Sequence, residues 1–441
     1  MKGAAPRSRR RWEVLVALLV VALIGVVWQA RVRRAELRAI PGIPSPSPSA
    51  PPAPTTSDAS LLPSASAPAA PSAKALPVTC GPGLSRAESD EALALGRSFL
   101  LHAQKPEGNF TYLYAWSTRA VLAGDNSVRQ AGAAWALALL HRDRPSPETA
   151  AAVERALGYF ERISRLSPEG QRYLVYPGEE EGSLGAVALV ALAHIDYLLA
   201  GAARPRLREH LDQYLAMIRA AQGADGRFVE AYDLEDGHPI GEPSPYAEGE
   251  ALLAFVKAAR SLGRDDLRAP ALLAAERGHL ANIVNARARE ADSPITRAYF
   301  QWSLMSYAEL VESGWPGTAR YVDDGLALAD WMIDVRGLGR SNGNEGYALE
   351  GLAAAHTLAT ARGDAQRAAK IRCAVASGLA RLTRWQVGHS LAAPFVAAAS
   401  EADLRARGGV QMREDSDRLR VDVTQHQMHA LILARRSGLL R

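Results

Sequence analysis

Beyond residue 40 the sequence lacks the excess of basic residues that its overall charge suggests. The formal net charge of the 441 residues is +4. Residues 1–40 hold nine Lys or Arg against two Glu, a local charge of +7, so the rest of the chain carries −3. Proteins that bind nucleic acid present a basic patch or stripe on the folded domain. Because the positive charge is confined to the N-terminal segment, we expect no nucleic-acid partner.

Several catalytic signatures are also missing. There is no HExxH pattern, and no third ligand stands at a zinc-binding spacing from His426 and His429, so we expect no metal. The segment VGHSLAA at 387–393 lacks the second glycine of a nucleophile elbow, and no strand precedes it. The acids of VDDGLALADWMID at 322–334 follow one polar helix face, which argues against a diphosphate-binding terpene cyclase. No pattern indicates a cofactor.

Long apolar runs are absent apart from residues 14–30. This segment is 17 residues long and uncharged, which is at the lower limit for a membrane-spanning helix. No small-x-small cleavage site follows it, so we expect a transmembrane signal anchor rather than a cleaved signal peptide. Residues 1–13 would form a basic cytoplasmic tail. The protein would then be a single-pass inner membrane protein whose folded domain is periplasmic or extracellular.

A proline-rich segment follows the expected anchor. Residues 41–77 contain 11 of the 26 prolines and only two charged residues. This composition is typical of an extended, disordered linker. We therefore place a linker at residues 31–83 and one folded domain at residues 84–441.

Two kinds of helix alternate through the folded domain. Helices of the first kind have one charged face, as expected on the outside of a protein, and helices of the second kind are apolar all round, as expected inside it. The first kind is predicted near residues 88–104, 147–166, 204–222, 267–290, 316–334 and 364–386. The second kind is predicted near residues 126–141, 183–200, 245–262, 294–312, 343–361 and 422–437. Six outer and six inner helices predict an all-α (α/α)6 barrel, since an open solenoid would repeat at a regular period.

Four insertions interrupt the helical pattern, and each precedes an inner helix. They are rich in aromatic and β-prone residues, with Gly or Pro at their ends, so we expect short β-hairpins. They lie at residues 108–116, 171–181, 226–244 and 408–422. Because all inner helices begin at one end of such a barrel, the hairpins should surround a mouth there, together with the free N–H groups of the helix starts.

The stretch DVTQHQMHALILA at 422–434 places polar residues at the start of the sixth inner helix. Four of them follow the i, i+3, i+4, i+7 spacing and so share one helix face. They are Asp422, Gln425, His426 and His429. A polar face on an inner helix needs polar surroundings, and we expect this one to open onto the mouth.

The helix starts and hairpins together supply carboxylate, amide, imidazole and aromatic side chains. A concave mouth of this composition is typical of sugar-binding sites, where sugar rings stack on aromatics and two carboxylates divide the acid and base roles. The candidates for general acid–base catalysis are Glu248, Glu345, Asp422 and His426. The candidates for substrate binding are Tyr112, Asp125, Arg129, Gln130, Tyr246, Asn344 and Gln425.

Structural roles are the alternatives for several of these residues. Asp125 and Asn344 could cap the helices that follow them. Glu248 and Glu250 are two residues apart, so only one of them can point into the mouth. Arg129 lies in a helix of small residues and needs a carboxylate partner, which could come from the protein or from an acidic sugar.

Four segments resemble the six-hairpin glycosidase superfamily, especially the part of it near the D-glucuronyl C5-epimerases. They are DNSVRQAGAAWALALL, PYAEGEALLAF, SNGNEGYALEGLAAA and VTQHQMHALILA, and the resemblance covers residues 84–441. It implies an (α/α)6 barrel that acts on a carbohydrate polymer as a hydrolase, lyase or epimerase. The same superfamily includes inactive binding proteins, so a non-catalytic glycan- or peptide-binding envelope protein is the alternative.

The positions of the two cysteines offer a test of whether the ring is closed. Cys80 precedes the first outer helix and Cys373 lies in the sixth, and a closed ring would make these elements neighbours. An exported domain meets oxidising conditions, so the two thiols could form a disulfide. Two buried free thiols are the alternative.

Overall fold

The computed structural model describes residues 80–81, 83–202, 204–339, 343–399 and 402–440. The expected cytoplasmic tail and membrane anchor, and the linker up to residue 79, lie outside these residues. Within the described part of the chain, no helix is both long and apolar enough to cross a membrane.

Helices account for most of the described chain, and we number them in order. They are α1 (Arg86–Ala103), α2 (Ser127–Asp143), α3 (Pro147–Arg162), α4 (Leu184–Leu199), α5 (Pro205–Ala220), α6 (Pro245–Leu262), α7 (Arg268–His279), α8 (Ala286–Arg289), α9 (Pro294–Ser313), α10 (Arg320–Asp330), α11 (Gly346–Arg362), α12 (Ala365–Thr383), α13 (Pro394–Ala397) and α14 (Val421–Arg436). A π-helical turn joins α7 to α8, and another extends α10 to Arg336. The predicted outer helices are α1, α3, α5, α7, α10 and α12, and the predicted inner helices are α2, α4, α6, α9, α11 and α14.

Local sequence sets where these helices begin and end. Ser85 and Glu88 form a capping box at the start of α1, each side chain accepting a hydrogen bond from the other residue's backbone N–H. The Asn126 side chain caps α2 by accepting from the Arg129 N–H. Helix α6 ends at Gly263, whose φ of 72° lies in the left-handed region that favours glycine.

The six inner helices form a closed ring. Each packs on the next in the order α2, α4, α6, α9, α11 and α14, and α14 returns to pack on α2. Each outer helix covers the ring from outside, and the inner helices are buried almost throughout, as in α4 from Leu184 to Tyr197. The predicted (α/α)6 barrel is confirmed, and an open solenoid is excluded because α14 contacts α2.

Aromatic side chains fill the middle of the ring. Trp135 of α2 and Trp302 of α9 come from opposite sides and stack with their ring centroids 5.9 Å apart. The His429 ring of α14 meets Trp135 edge-on at 4.3 Å. Such contacts stabilise a core beyond the area they bury. This aromatic layer closes the barrel below the starts of the inner helices.

A buried charge cluster lies beyond the aromatic layer, toward the ends of the inner helices. Asp196 is fully buried, accepts a hydrogen bond from Trp135 Nε1 at 2.7 Å, and forms ion pairs with Lys257 at 2.5 Å and Arg142 at 2.7 Å. Burial would raise the pKa of the Asp196 carboxyl, but the Lys257 and Arg142 charges lower it to about 2. The cluster therefore ties α2, α4 and α6 together.

Short strands surround the other end of the barrel, where the inner helices begin. They are β1 (Leu113–Ala115), β2 (Ala120–Val121), β3 (Ser164–Leu166), β4 (Arg172–Leu174), β5 (Gly182–Ser183), β6 (Val229–Tyr232), β7 (Pro239–Pro243) and β8 (Arg418–Arg420). All pairings are antiparallel, in sheets of order β2-β1-β8, β3-β4 and β5-β6-β7. Because β5 and β8 run directly into α4 and α14, these sheets are the predicted rim hairpins.

A disulfide joins Cys80 to Cys373 in α12, with 4.9 Å between their Cα atoms. The bridge connects the segment before the first outer helix to the sixth outer helix, as expected for a closed ring. The prediction of a disulfide is therefore confirmed over that of free thiols.

Candidate active site at the barrel mouth

A carboxylate–imidazole pair lies at the centre of the candidate site. Glu350 of α11 is fully buried, and its Oε1 lies 2.6 Å from Nδ1 of His426 in α14. Its other oxygen is 3.7 Å from Nδ1 of His429, which is too long for a hydrogen bond. A carboxylate buried in an apolar helix needs a polar partner, and the His426 imidazole is that partner.

Electrostatics favour the charged forms of both Glu350 and His426. Burial alone would raise the pKa of the Glu350 carboxyl, but the attraction of His426 outweighs burial and lowers it. Burial likewise opposes protonation of His426, yet Glu350 and Asp422 raise the pKa of its imidazole. The His426 side chain keeps 23% of its surface exposed while that of Glu350 has none. The imidazole is therefore the member of the pair that a ligand can reach.

His429 plays a different part. Burial lowers the pKa of its imidazole and so favours the neutral form, opposite to the shift at His426. Neither of its ring nitrogens has a hydrogen-bond partner in the described part of the structure. It belongs to the aromatic layer that supports the mouth.

Asp422 lies one helical turn before His426 and is held by two arginines. Arg420 binds both of its oxygens, through Nε at 2.8 Å and Nη2 at 2.5 Å, and Arg129 Nε lies 3.3 Å from Oδ2. Burial would raise the pKa of the Asp422 carboxyl, but Arg420, Arg129 and His426 lower it. Asp422 is therefore an ionised carboxylate at neutral pH.

Tyr112 lies against both guanidinium groups. The pairing of β1 with β8 brings it there, since the Val421 N–H donates to the Tyr112 carbonyl at 3.1 Å. The Cζ atoms of Arg129 and Arg420 are 5.8 and 6.0 Å from its ring centroid, within cation–π range. The protein carboxylate that Arg129 needs is Asp422, although 38% of the arginine side chain remains exposed to the mouth.

Gln425 lies on the same face of α14, next to helix α2. Gly132 of α2 makes room for it, because a Cβ at position 132 would overlap the Gln425 side-chain oxygen. Of the predicted face of α14, Asp422 and Gln425 are therefore buried against neighbouring residues, and the His426 side chain keeps 23% of its surface exposed.

The opposite side of the mouth is formed by α6, α9 and α11. Tyr246, the second residue of α6, has 57% of its surface exposed. Burial raises the pKa of the Tyr246 phenol, and the charge of Glu250 raises it further. The charges of Arg297 and Arg129 lower it. Because Arg297 belongs to α9 and Arg129 to α2, Tyr246 faces the same space as both. Tyr347 of α11 also lies within reach of the Arg297 charge.

Glu250 lies one turn below Tyr246 on α6. Only 2% of it is exposed, and no described residue donates a hydrogen bond to it or forms an ion pair with it. Burial raises the pKa of its carboxyl to about 8. The side chain is therefore a protonated, neutral acid at neutral pH.

Glu248 is held away from these residues. Arg227 binds it through two hydrogen bonds of 2.8 Å, and Asn282 Nδ2 donates to Oε2 at 2.7 Å. Of the two acids that are two residues apart in α6, Glu250 rather than Glu248 is the one near Tyr246. We give Glu248 a structural role.

Glu345 and Asn344 hold the segment that leads into α11. Glu345 Oε2 accepts from Arg381 Nη2 and from the Gly339 N–H, both at 2.8 Å. It lines a separate cavity of about 400 Å³ between α11 and α12. The Asn344 side chain accepts from the Gly346 N–H at 2.8 Å and donates to the Gln411 carbonyl at 3.3 Å. Asn344 does not cap α11, because Glu345 occupies the N-cap position, and that position has no side-chain cap hydrogen bond.

Asp125 and Gln130 fix the first hairpin. Gln130 exchanges two hydrogen bonds with the backbone of Phe110, at 2.7 and 2.9 Å, and donates to Asp125 Oδ1 at 2.7 Å. Asp125 Oδ2 accepts from the Tyr176 hydroxyl at 2.7 Å. Asp125 does not cap α2, because Asn126 does, and these contacts engage the polar atoms of both predicted binding residues.

Sequence reasoning missed Glu350 and Arg420 and did not choose Glu250 as a site residue. Glu350 in GYALEGLAAA is a charged residue within an otherwise apolar inner helix, as Arg129 is, and could have been found by the same signal. Arg420 had no such signal, because its role depends on the pairing of β1 with β8. Within the described ranges, no three His, Cys, Asp or Glu side chains are arranged to hold a metal ion.

The ring of six inner and six outer helices is the (α/α)6 barrel that the sequence resemblance implied. Solved structures with this fold are similar to the chain along most of its length. A sugar epimerase from a ruminal bacterium has a TM-score of 0.60 at 9% identity, covering 79% of this chain and 98% of the other. A cellobiose 2-epimerase from Bacillus thermoamylovorans has a TM-score of 0.58 at 11% identity, with coverage of 79% and 98%.

An alpha-1,6-mannanase from Salegentibacter has a TM-score of 0.57 at 10% identity, covering 79% of this chain and 99% of the mannanase. No family model and no curated protein sequence matches the chain. At these identities the similarity establishes the fold, and the activity has to be argued from the site.

Proposed function

We propose that this protein is a carbohydrate-active enzyme that carries out acid–base chemistry on a saccharide at the barrel mouth. The observation that carries the proposal is the 2.6 Å contact between the buried Glu350 and the partly exposed His426. A buried carboxylate that orients an imidazole and raises its pKa is an arrangement suited to general acid–base catalysis. The similar structures, which include sugar epimerases and a mannanase, support a saccharide as the substrate.

The surrounding residues have roles that suit a sugar. His426 would exchange protons with the substrate, and Glu350 would hold it in the charged form. Tyr112 and the exposed Tyr246 offer aromatic faces on which sugar rings can stack. Arg129, which is shared with Asp422 but partly exposed, can donate to hydroxyl or carboxylate oxygens of the substrate.

The natural substrate we propose is a carbohydrate polymer of the cell envelope, processed outside the cytoplasm by a membrane-anchored enzyme. The Cys80–Cys373 disulfide supports an oxidising compartment. Protease added to intact spheroplasts should remove the barrel domain from a membrane-bound remnant. Protection of the domain, or its recovery in the soluble cytoplasmic fraction, would refute this location.

Turnover can be tested by NMR with the full-length protein in D₂O and a panel of cellobiose, D-mannose and α-1,6-linked mannan. Exchange of a sugar C–H proton for deuterium identifies epimerase or isomerase chemistry, new reducing ends identify hydrolysis, and a new unsaturated product identifies a lyase. His426→Gln and Glu350→Gln should each lower turnover by about 10²–10⁴-fold, as expected for loss of a general acid–base group.

His102→Gln is the matched control, since His102 is an exposed residue of the outer helix α1 and should leave the rate unchanged. Saccharide binding without any turnover would contradict the enzymatic proposal and favour a glycan-binding protein. Unchanged turnover in both His426→Gln and Glu350→Gln would refute the role of the pair.

A further inference from the structure

We propose that Glu250 is a second catalytic group of this site, which donates a proton to an oxygen atom of the bound saccharide from the side opposite His426. The inference rests on the proposed function and adds to it the identity of the proton donor and the face from which it acts.

Glu250 lies on the helix across the ring from His426. In a ring ordered α2, α4, α6, α9, α11 and α14, helix α6 lies opposite α14. Tyr246 and Glu250 are the second and sixth residues of α6, and Asp422 and His426 are the second and sixth residues of α14. All inner helices begin at the same rim, so Glu250 and His426 lie at matching depth on opposite walls.

The expected spacing of the helices leaves a gap between these walls. Packed helices lie about 8–10 Å apart, so opposite helices of a six-membered ring lie about 16–20 Å apart. The side chains of each helix extend about 5–6 Å from its axis, which leaves about 5–9 Å between the walls. The stacked Trp135 and Trp302 lie below this space, in the middle of the ring.

Glu250 has no hydrogen-bond or ion-pair partner among the described residues. The other buried acids at this end of the barrel are paired: Glu248 with Arg227, Glu345 with Arg381, and Glu350 with His426. A buried carboxyl without a partner destabilises the fold unless it is protonated. In this respect Glu250 differs from its neighbours, and a proton donor must carry its proton before the substrate binds.

Helix α4 leaves room for the Glu250 side chain. The carboxyl lies against Gly185 in the first turn of that helix, and a Cβ at position 185 would overlap Glu250 Oε2. Burial raises the pKa of the Glu250 carboxyl to about 8, while the pKa of Asp422 is lowered. When the environments of two acids move their pKa values apart, one site can hold both a proton donor and an ionised carboxylate.

The step itself is a single proton transfer. The O–H bond of Glu250 breaks with its electron pair remaining on the carboxyl oxygen, and a new O–H bond forms on the substrate oxygen. The resulting carboxylate regains a proton from water when the product leaves. Glu250 would protonate one face of the sugar while His426 serves the other.

The test compares Glu250→Gln with wild type on whichever sugar of the panel is turned over, from about pH 5 to about pH 9.5. The wild-type rate should fall as the pH rises through about 8, the pKa of the Glu250 carboxyl. Glu250→Gln should lower kcat by about 10²–10⁴-fold, and its residual rate should lack this fall. His426→Gln should retain the fall, since Glu250 is still present. Glu312→Gln, at the exposed far end of α9, is the matched control and should keep the wild-type profile.

Gly185→Ala is the second variant, since it leaves Glu250 in place but displaces its carboxyl, and it should lower kcat without unfolding the barrel. A protonated-carboxyl infrared band, present at about pH 6 in wild type and absent in Glu250→Gln, gives a readout that needs no substrate. Absence of that band, or a Glu250→Gln enzyme with the wild-type rate and pH profile, overturns the inference while leaving the proposed function intact. Presence of the band with no turnover of any sugar overturns the proposed function instead, and the inference with it.

Discussion

Because Glu250 is buried without a partner, its ionisation should change the free energy of unfolding, which can be measured without a substrate. Its pKa is raised from 4.5 to about 8 by burial in the folded protein, whereas in the unfolded chain it is exposed and keeps an ordinary value. Between these two pH values the folded protein binds a proton that the unfolded chain does not. The contribution of Glu250 to folding stability therefore falls as the pH rises from about 4.5 to about 8 and levels off above that.

The magnitude follows from the size of the shift. A shift of about 3.5 pKa units at about 1.4 kcal/mol each corresponds to roughly 5 kcal/mol, which is an upper figure because water entering the mouth would reduce it. Glu250→Gln replaces the acid by an amide of the same shape that does not titrate. The variant should unfold with nearly the wild-type free energy at about pH 5 and should become more stable than wild type by about 2–5 kcal/mol at about pH 9.

Urea unfolding of both proteins at a series of pH values measures this difference. Titration of every other group cancels in the comparison, so the pH dependence of the difference reports Glu250 alone. A difference that stays constant across the range would refute the reasoning, because it would mean that Glu250 titrates normally in the folded protein.

Three further predictions concern stability elsewhere in the barrel. Replacing Cys80 and Cys373 by Ser should lower the unfolding free energy by up to about 6 kcal/mol, the chain-entropy estimate for a separation of 293 residues; two reactive thiols in the denatured, unreduced wild type would contradict it. Asp196→Asn should destabilise by about 3–5 kcal/mol by leaving Lys257 buried without its carboxylate, and adding Lys257→Met should restore part of that loss. Glu248→Gln should lower the melting temperature with kcat retained, and a large loss of kcat in a stable variant would restore Glu248 as a catalytic candidate.

The helices could be predicted from the sequence because their periodicity and composition are local. The predicted inner helix at 245–262 has the bounds of α6. The one predicted at 343–361 begins instead at Gly346, because Asn344 and Glu345 are held by the segments around them. The predicted outer helix at 316–334 becomes α10 with a π-helical turn, a change of hydrogen-bond pattern that no side-chain period reveals.

The site was predictable only where one helix defines it. The spacing of Asp422, Gln425 and His426 needs nothing beyond α14, and all three residues lie in the first two turns of that helix. Glu350 and Arg420 depend on which helix lies beside α14 and which strand pairs with β8, and those relations appear only when the ring closes. For Glu248 and Glu250, both orientations satisfy the sequence, and only the packing of α6 in the ring selects between them.

The salt bridges of Asp90 show where the two ends of the barrel domain lie. Asp90, in the second turn of α1, pairs with Arg435 at the end of α14 at 2.8 Å and with Arg144 after α2 at 2.6 Å. The two ends of the barrel domain are therefore side by side, and the ring itself has no first or last helix pair. A circularly permuted chain, with residue 440 linked to residue 86 and new termini between α2 and α3, would preserve every neighbour relation among the inner helices. The position of the chain termini therefore does not determine which helices are neighbours, and the contact between His426 and Glu350 should be retained in the permuted protein.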